Sequence, residues 1–295
     1  MGTMMVPLLP SGICFNICAI IFSFISVTIY SSFLVQIFWL KTIKKVPELY
    51  LFYCHFAYDI FYSFAIHLNM IIMLLSTTSA LQFFIDNRNF TFYIVYPAYL
   101  IGSMRATLVL MIAMDRVFAT YLPILFFKYR KFIPTLFFVA ITFVYALWDV
   151  SVMFIFCGNT INVPPGCITI ACALDTCYFN YWAFYERLTY SLTVSCSFLL
   201  CLKLLMMSWK KEKTNDDLKR ANRLALIDTF TIIGFSMSPG LIVKYFPNYY
   251  STMGPVNAFF KTIGFILEGY LISRNLKRKY DNRKKSLIAV TTSTG

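Results

Sequence analysis

The sequence has no charged residue before Lys41, so its first forty residues contain no side chain that must face water. Charged residues make up only 13% of the whole chain, whereas hydrophobic residues make up 59%. A soluble domain carries about a quarter of charged residues, and no soluble core of this length could bury so much apolar surface. The scarcity of charge therefore excludes a soluble globular protein and predicts a membrane protein.

Six further long apolar stretches follow the first one, separated by short segments. A helix that crosses a hydrocarbon core of about 30 Å needs about twenty mostly apolar residues, because it rises about 1.5 Å per residue. Runs such as 13–25 are apolar on every face, which indicates helices rather than the alternating strands of a barrel. We therefore predict an all-α membrane protein, a bundle of seven transmembrane helices. The chain is predicted to be one domain, 1–295, with spans 1 to 7 near 13–40, 49–75, 92–122, 132–156, 183–208, 224–246 and 254–273, and a basic tail at 274–295.

Acidic residues are also scarce, at 13 against 26 lysines and arginines. Most of the basic residues lie after spans 1, 3 and 5 and in the tail. Because positively charged segments stay in the cytoplasm, we predict an N-terminus outside the cell and a cytoplasmic C-terminus. The net charge of +13 then reflects topology and contact with the lipid bilayer, and it calls for no nucleic-acid partner.

Only one N-glycosylation triplet, Asn89-Phe90-Thr91, is present, and it lies between spans 2 and 3. The charge pattern places this segment outside, so we predict glycosylation at Asn89; a chance triplet is the alternative. Span 1 has no basic n-region or small-residue cleavage site before it, which favours an uncleaved signal anchor.

Four of the nine cysteines lie between spans 4 and 5, in the predicted second outer loop. The outside compartment is oxidising, so we expect at least one disulfide there, and three pairings of the four are open. The four candidates are Cys157, Cys167, Cys172 and Cys177. Zinc binding is the alternative, but no histidine is near, and the two histidines of span 2, His55 and His67, are about 18 Å apart along the axis. We predict no metal and no cofactor.

Ionisable side chains inside a bilayer are costly and are therefore candidates for function. Asp59 of span 2 and Arg105 of span 3 lie at similar depths and could pair, while Lys261 and Glu268 share one face of span 7. Pro239 would supply a kink in span 6. We predict an intramembrane polar switch made of Asp59, Arg105, Asp228, Pro239, Lys261 and Glu268. The alternative is that these groups only fix the packing of the helices.

No segment outside the spans is long enough to fold alone, so a ligand must be met by the helices, which favours a small molecule or a short peptide. Aromatic residues make up 19% of the chain, and a cavity is expected between the outer halves of spans 3, 5, 6 and 7. We predict that its lining includes Tyr96, Tyr99, Arg105, Glu186, Tyr190, Phe259 and Lys261. The lysine in span 7 also raises the alternative of a retinal-linked pigment.

The inner end of span 3, residues 114–117, reads MDRV. It resembles the Asp-Arg-Tyr region of rhodopsin-like G-protein-coupled receptors, in which the acid holds the arginine in the inactive state and the arginine meets the G protein in the active state. The resemblance implies that Arg116 is the coupling residue and Asp115 its lock, with Lys219, Arg220 and Arg223 of the basic third inner loop beside it. The chain departs from that family in three places: no cysteine lies between 92 and 105, span 7 lacks Asn-Pro-x-x-Tyr, and span 6 lacks Cys-Trp-x-Pro.

Three further segments carry a more specific resemblance. Residues 219–230 read KRANRLALIDTF, residues 254–259 read GPVNAF, and residues 270–274 read YLISR. Together with the cysteine-bearing loop they resemble the nematode serpentine chemoreceptors, most closely class BC, over all seven spans. The resemblance implies a chemosensory receptor in the plasma membrane, at the cilium of a sensory neuron. It implies an odorant-like small-molecule ligand in the outer half of the bundle and a heterotrimeric G protein as partner, with a receptor dimer as a further candidate.

Two other classes of protein are kept as alternatives. A ligand-gated cation channel of the inverted seven-span type would have its N-terminus inside the cell. A small-solute transporter is disfavoured by the odd number of spans and by the lack of internal duplication. An enzyme is not expected, because the sequence contains no His-Glu-x-x-His, no Gly-x-Ser-x-Gly and no spaced acidic cluster.

Overall fold

A computed structural model of the chain describes residues 10–41, 49–75, 81–87, 89–130, 132–163, 174–209, 216–239 and 255–293. This part is helical and contains no strand. Three of the spans include π-helical turns, which close wider rings than α-helical ones. The spans are Pro10–Leu34 continued by Val35–Trp39, Tyr50–Leu75, Asn89–Tyr121, Thr135–Ser151 continued by Val152–Phe156, Thr176–Trp209, Asp216–Thr231 continued by Ile232–Met237, and Val256–Ser293. Short helices at Leu81–Asp86 and Pro123–Arg130 lie between them.

Spans 1 to 5 are long and apolar enough to cross a membrane by length and composition. Their outward faces carry large apolar side chains, such as Phe24 at 61% exposure, Leu136 at 73% and Phe198 at 63%. Large apolar side chains exposed on several spans are unfavourable in water and fit a bundle surrounded by lipid. Spans 6 and 7 carry more charge, and the predicted end of span 6 and start of span 7 at 246 and 254 lie outside the described residues.

Several helix ends differ from the predicted span bounds, most of all at the starts of spans 5 and 6 and at the end of span 7. The helix of span 6 begins at Asp216 and not near 224. Span 5 begins at Thr176 and not near 183, because the Asp175 carboxylate accepts the backbone N–H of Cys177 at 3.1 Å and caps the first turn. The helix of span 7 runs on through the predicted tail to Ser293. No glycine or proline follows residue 269 before that point, so nothing in the local sequence ends the helix.

Glycines in span 7 allow its neighbours to come very close. A Cβ atom added to Gly269 would lie 2.8 Å from Ile29 Cγ2 of span 1, and one added to Gly264 would lie 2.7 Å from Phe235 Cβ of span 6. Small residues at such contacts are typical of helix pairs in membranes. This close packing brings the buried face of span 7 against the centre of the bundle.

A disulfide joins Cys157, after span 4, to Cys177 in the first turn of span 5. The other two candidates, Cys167 and Cys172, lie outside the described residues. Beneath the disulfide, a small apolar cluster that includes Phe92 and Tyr178 packs the start of span 3 against this connection. Asn89 begins span 3, and its side-chain oxygen accepts the Val163 N–H at 3.1 Å, so glycosylation there stays a prediction.

Candidate functional site

Four spans bring charged side chains together at the centre of the bundle, and we call His55, Asp59, Arg105, Asp228 and Glu268 the buried ionic cluster. Arg105 Nε contacts Asp59 Oδ1, while its Nη2 lies 3.3 Å from Glu268 Oε2 and 3.7 Å from Asp228 Oδ1. Every member is at most 4% exposed. The predicted pairing of Asp59 with Arg105 is therefore present in the structure, with acids of spans 6 and 7 added to it.

His55 belongs to the cluster because its spacing from Asp59 matches one turn of the helix. It lies four residues before Asp59, so the two side chains share one face of span 2. Its Nδ1 lies 3.5 Å from Asp59 Oδ2 and 4.0 Å from Glu268 Oε1. The sequence reasoning considered His55 only together with His67, whose ring contacts Ser23 at 3.0 Å. The four-residue spacing to Asp59 is the signal that could have identified it.

A cavity of about 170 Å³ lies beside the cluster, in the half of the bundle that contains the starts of spans 3, 5 and 7. A protein cavity of about 150 Å³ can hold benzene, so this one has room for a small organic molecule. Arg105 and Phe265 line the cavity, and the Phe265 ring lies 4.8 Å from the guanidinium carbon of Arg105. The cavity and the buried ionic cluster thus share a wall.

The cavity wall combines aromatic rings with charged groups. Five residues that were predicted to line a pocket do so: Tyr99, Arg105, Glu186, Tyr190 and Lys261. The sequence reasoning missed Trp182 and Tyr185 of span 5 and Tyr62 and Asn69 of span 2. Span 2 was not expected to line the cavity. The sequence shows how deep a residue lies in its span, but it does not show which face of the helix meets a cavity.

An ion pair crosses one side of the cavity from span 7 to span 5. Lys261 Nζ lies 3.4 Å from Glu186 Oε1, and the side chains are 12% and 27% exposed. Lys261 was predicted to act with Glu268 in the polar switch, and the structure instead pairs it with Glu186. Seven residues separate Lys261 from Glu268, so the two share a helical face but differ by about 10 Å in depth.

Two residues that were predicted to line the pocket lie elsewhere. Tyr96 stacks on Phe92 with ring centroids 5.2 Å apart, within the apolar cluster beneath the disulfide. Phe259 packs against Phe15 of span 1 at 5.0 Å. Phe259 comes two residues before Lys261, and two residues turn a helix by about 200°, so these side chains point to nearly opposite sides.

At the other end of span 3, Asp115 binds two arginines. Arg116 Nη2 contacts Asp115 Oδ2, and Arg130 Nε donates to Asp115 Oδ1 at 3.1 Å. Arg130 ends the short helix Pro123–Arg130 and lies over the Phe138 ring at 5.0 Å. Asp115 and Arg116 are both buried, so their pair is not an ordinary exposed ion pair at the membrane surface.

Span 6 is bonded to span 3 at this same end. Asn222 Nδ2 donates to Thr120 Oγ1 at 3.2 Å, and the Thr120 hydroxyl donates to the Arg116 carbonyl at 2.8 Å. Arg223 is exposed beside this contact. Of the other predicted coupling residues, Lys219 and Arg220 lie on the helix Asp216–Thr231, and their side chains lie outside the described part of the structure.

The irregularity in the described part of span 6 is a π-helical turn, Ile232–Met237. Pro239, the predicted kink, is buried and is the last described residue of this span. Proline lacks the N–H that would bond to the carbonyl four residues earlier, which is consistent with wider turns before it. A bend at Pro239 itself stays a prediction, because the residues that follow lie outside the described range.

Comparison with known protein families gives a match over most of the chain. The model of the serpentine type 7TM GPCR chemoreceptor family Srbc matches residues 8–280. No curated protein matches the chain. The match covers the cluster, the cavity and the Asp115–Arg116 pair, and it confirms the resemblance to nematode serpentine chemoreceptors and the seven-transmembrane fold. The chain belongs to the Srbc family of serpentine seven-transmembrane chemoreceptors.

Proposed function

We propose that this chemoreceptor binds a small molecule in the cavity and signals to a heterotrimeric G protein through Arg116. The observation that carries the proposal is the cavity itself, about 170 Å³ in volume and lined by aromatic and charged side chains. Cavities of this kind, with a few convergent polar groups, are the usual ligand sites of helix bundles. The proposed orientation, with the N-terminus outside, makes the cavity end of the bundle the extracellular one.

The ion pair between Lys261 and Glu186 gives the ligand a way to change the bundle. Both side chains are partly exposed toward the cavity, so a polar group of the ligand can compete with the pair. A ligand that replaces one partner loosens the bond between spans 5 and 7. Binding then favours whichever arrangement of helices makes better contacts with the ligand.

Arg105 supplies the connection from the cavity to the rest of the bundle. It lines the cavity and also contacts carboxylates on spans 2, 6 and 7. A ligand that displaces the guanidinium changes its distance to Asp228, which lies 3.7 Å away. Span 6 therefore receives the effect of ligand binding through an electrostatic contact and not only through packing.

In the proposed mechanism, the arrangement at the Asp115 end is the inactive one. Arg116 is buried and its guanidinium is occupied by Asp115, so a G protein cannot reach it in this conformation. Movement of span 6 would break the bond between Asn222 and Thr120 and open the space beside Arg116. The basic residues at the start of span 6 would then attract an acidic surface of the G protein.

Calcium imaging in cells that co-express the receptor and a promiscuous Gα subunit tests this function. Small volatile and water-soluble compounds are screened, and an active compound is then applied to variants. Arg116→Ala should abolish the response with normal surface expression, and Lys261→Met should raise the half-maximal concentration. Arg187→Ala is the matched control, because Arg187 is exposed and its bond within the described residues is to the Ala183 carbonyl of its own helix at 2.9 Å. An undiminished response of Arg116→Ala would rule out the coupling role.

The topology is tested separately with epitope tags at both ends of the chain in intact cells. The proposal expects an accessible N-terminal tag, a protected C-terminal tag and a mass shift of the receptor on deglycosylation that Asn89→Gln abolishes. An accessible C-terminus would favour the inverted ligand-gated channel. Tagged receptor in sensory neurons should reach the plasma membrane of the cilium.

A further inference from the structure

We propose that His55, Asp59 and Glu268 bind one divalent transition-metal ion, such as Zn²⁺, at the centre of the bundle. One ligand atom from each residue lies within 4.8 Å of the other two, and all three residues are buried. The site would connect span 2 to span 7. This inference does not depend on the proposed signalling function.

Three polar atoms that face one another here have no hydrogen-bond partner among the described residues. They are Nδ1 of His55, Oδ2 of Asp59 and Oε1 of Glu268. Each carboxylate directs its other oxygen to Arg105, so the second oxygen is left facing the histidine. Buried polar atoms in native proteins nearly always have a partner. Several unpartnered donors and acceptors around one point therefore indicate a ligand between them.

The separations suit a metal ion after a small contraction. In a tetrahedral zinc site with bonds of about 2.1 Å, neighbouring ligand atoms are about 3.4 Å apart. His55 Nδ1 lies 3.5 Å from Asp59 Oδ2 and 4.0 Å from Glu268 Oε1. The three ligand atoms all lie within 4.8 Å of one another, and a rotation of the Glu268 side chain would bring its oxygen closer to the other two. Three protein ligands leave the fourth position for water, as in zinc sites that keep an open position.

Charge balance favours a divalent cation. Three carboxylates, on Asp59, Asp228 and Glu268, contact one guanidinium, so the fully ionised cluster has an excess of two negative charges. An uncompensated charge inside a bundle surrounded by lipid is very costly. One divalent cation bound by a neutral imidazole removes the excess. Protons on two of the carboxylates are the competing way to achieve the same balance.

The ligand types select the class of metal. Imidazole nitrogen with carboxylate oxygen suits zinc, cobalt and related ions, whereas calcium and magnesium prefer sites made only of oxygen. Arg105 belongs to the cluster and also lines the cavity together with Phe265, so the cavity is the proposed side of entry for the ion. Rotation of the arginine would open the wall that the cavity and the cluster share.

The experiment uses the full-length receptor purified in lipid nanodiscs, stripped with EDTA and then titrated with Co²⁺ as the probe. We expect one Co²⁺ per receptor, with the visible absorption bands of a four-coordinate site, and displacement by Zn²⁺. His55→Gln and Glu268→Gln should each weaken binding at least about tenfold. His67→Gln is the matched control, because it lies on the same helix and its ring bonds to Ser23 and to the Ile20 carbonyl.

Three results would overturn the proposal. The first is a wild-type receptor that shows no cobalt absorption at saturating metal. The second is equal binding in the wild type and both cluster variants, which would place the ion elsewhere on the protein. The third is a melting temperature that depends on pH but not on added metal, which would show that protons balance the charge. If a variant fails to fold, the stoichiometry and spectrum of the wild type still decide the question.

Discussion

Replacing Arg105 by methionine should strongly destabilise the receptor. The guanidinium contacts three carboxylates, those of Asp59, Asp228 and Glu268. Methionine keeps the apolar part of the side chain but removes the positive charge. Removing one partner of a buried ion pair costs about 3–5 kcal/mol, because the remaining charge is left without compensation. Here three carboxylates would face one another at the centre of the bundle.

The expected effect is large enough to measure as a shift in melting temperature. One kcal/mol lowers the melting temperature of a large domain by about 2 °C or more, so 3–5 kcal/mol corresponds to a loss of at least about 6 °C. The assay follows the monodisperse fraction of a fluorescently tagged receptor after heating, in EDTA so that bound metal does not contribute. Arg187→Met is the control, and a change of about 0.5 kcal/mol or less is expected at that exposed position.

A combined variant separates the charge effect from simple loss of packing. Asp59→Asn and Glu268→Gln remove two negative charges with little change of shape. Neutral groups of similar volume can replace a buried ion pair at little cost, so Arg105→Met together with both substitutions should regain most of the lost stability. The reasoning is refuted if Arg105→Met melts within about 2 °C of the wild type, which is less than the loss expected from one buried pair, or if the triple variant is no more stable than the single one.

Three further predictions concern other parts of the bundle. Asp115→Asn should raise ligand-independent signalling about tenfold or more, because it weakens charge-assisted bonds worth about 1.5–3 kcal/mol each. The measurement is basal G-protein activation at matched surface expression, and an unchanged basal level would contradict the prediction. Gly264→Ala should lower stability by about 1–3 kcal/mol, because the added carbon would lie 2.7 Å from the Phe235 side chain. Gly234→Ala is the control, because the added carbon would meet no other helix within 4 Å in the described part of the structure; equal melting temperatures of the two variants would exclude the close contact at Gly264. Cys157→Ala should cost about 2–4 kcal/mol by opening a disulfide with a sequence separation of 20 residues, and a melting curve that matches the wild type under non-reducing conditions would show that the bridge does not form.

The lipid environment explains why much of the architecture could be predicted from single segments of the sequence. A span needs only a long enough run of apolar residues, and such a run can be recognised without knowing its neighbours. The depth of a residue in the membrane could also be counted along its span, and this count placed Asp59 at a depth similar to that of Arg105. The helix of span 5 begins earlier than the predicted span, because its start is marked by a single capping carboxylate, Asp175, rather than by the end of an apolar run.

Rotation of each helix about its axis could not be predicted in the same way. Nearly every face of these spans is apolar, so the sequence carries little information about which face meets the bundle and which meets lipid. Tyr96 and Phe259 were therefore assigned to the cavity, although they pack against other aromatic rings. Trp182 was missed for the same reason.

By itself, the sequence determined that this protein is a bundle of membrane helices with charged groups buried at its centre. Lipid requires every span to be long and apolar, and this can be judged for each segment without the others. Only the tertiary structure decided which of those groups meet. Arg105 binds acids from three other spans, and Lys261 faces Glu186 instead of joining them. These contacts depend on the relative depth and rotation of helices that are far apart in the chain, and close contacts such as those at Gly264 and Gly269 of span 7 form only in the folded bundle.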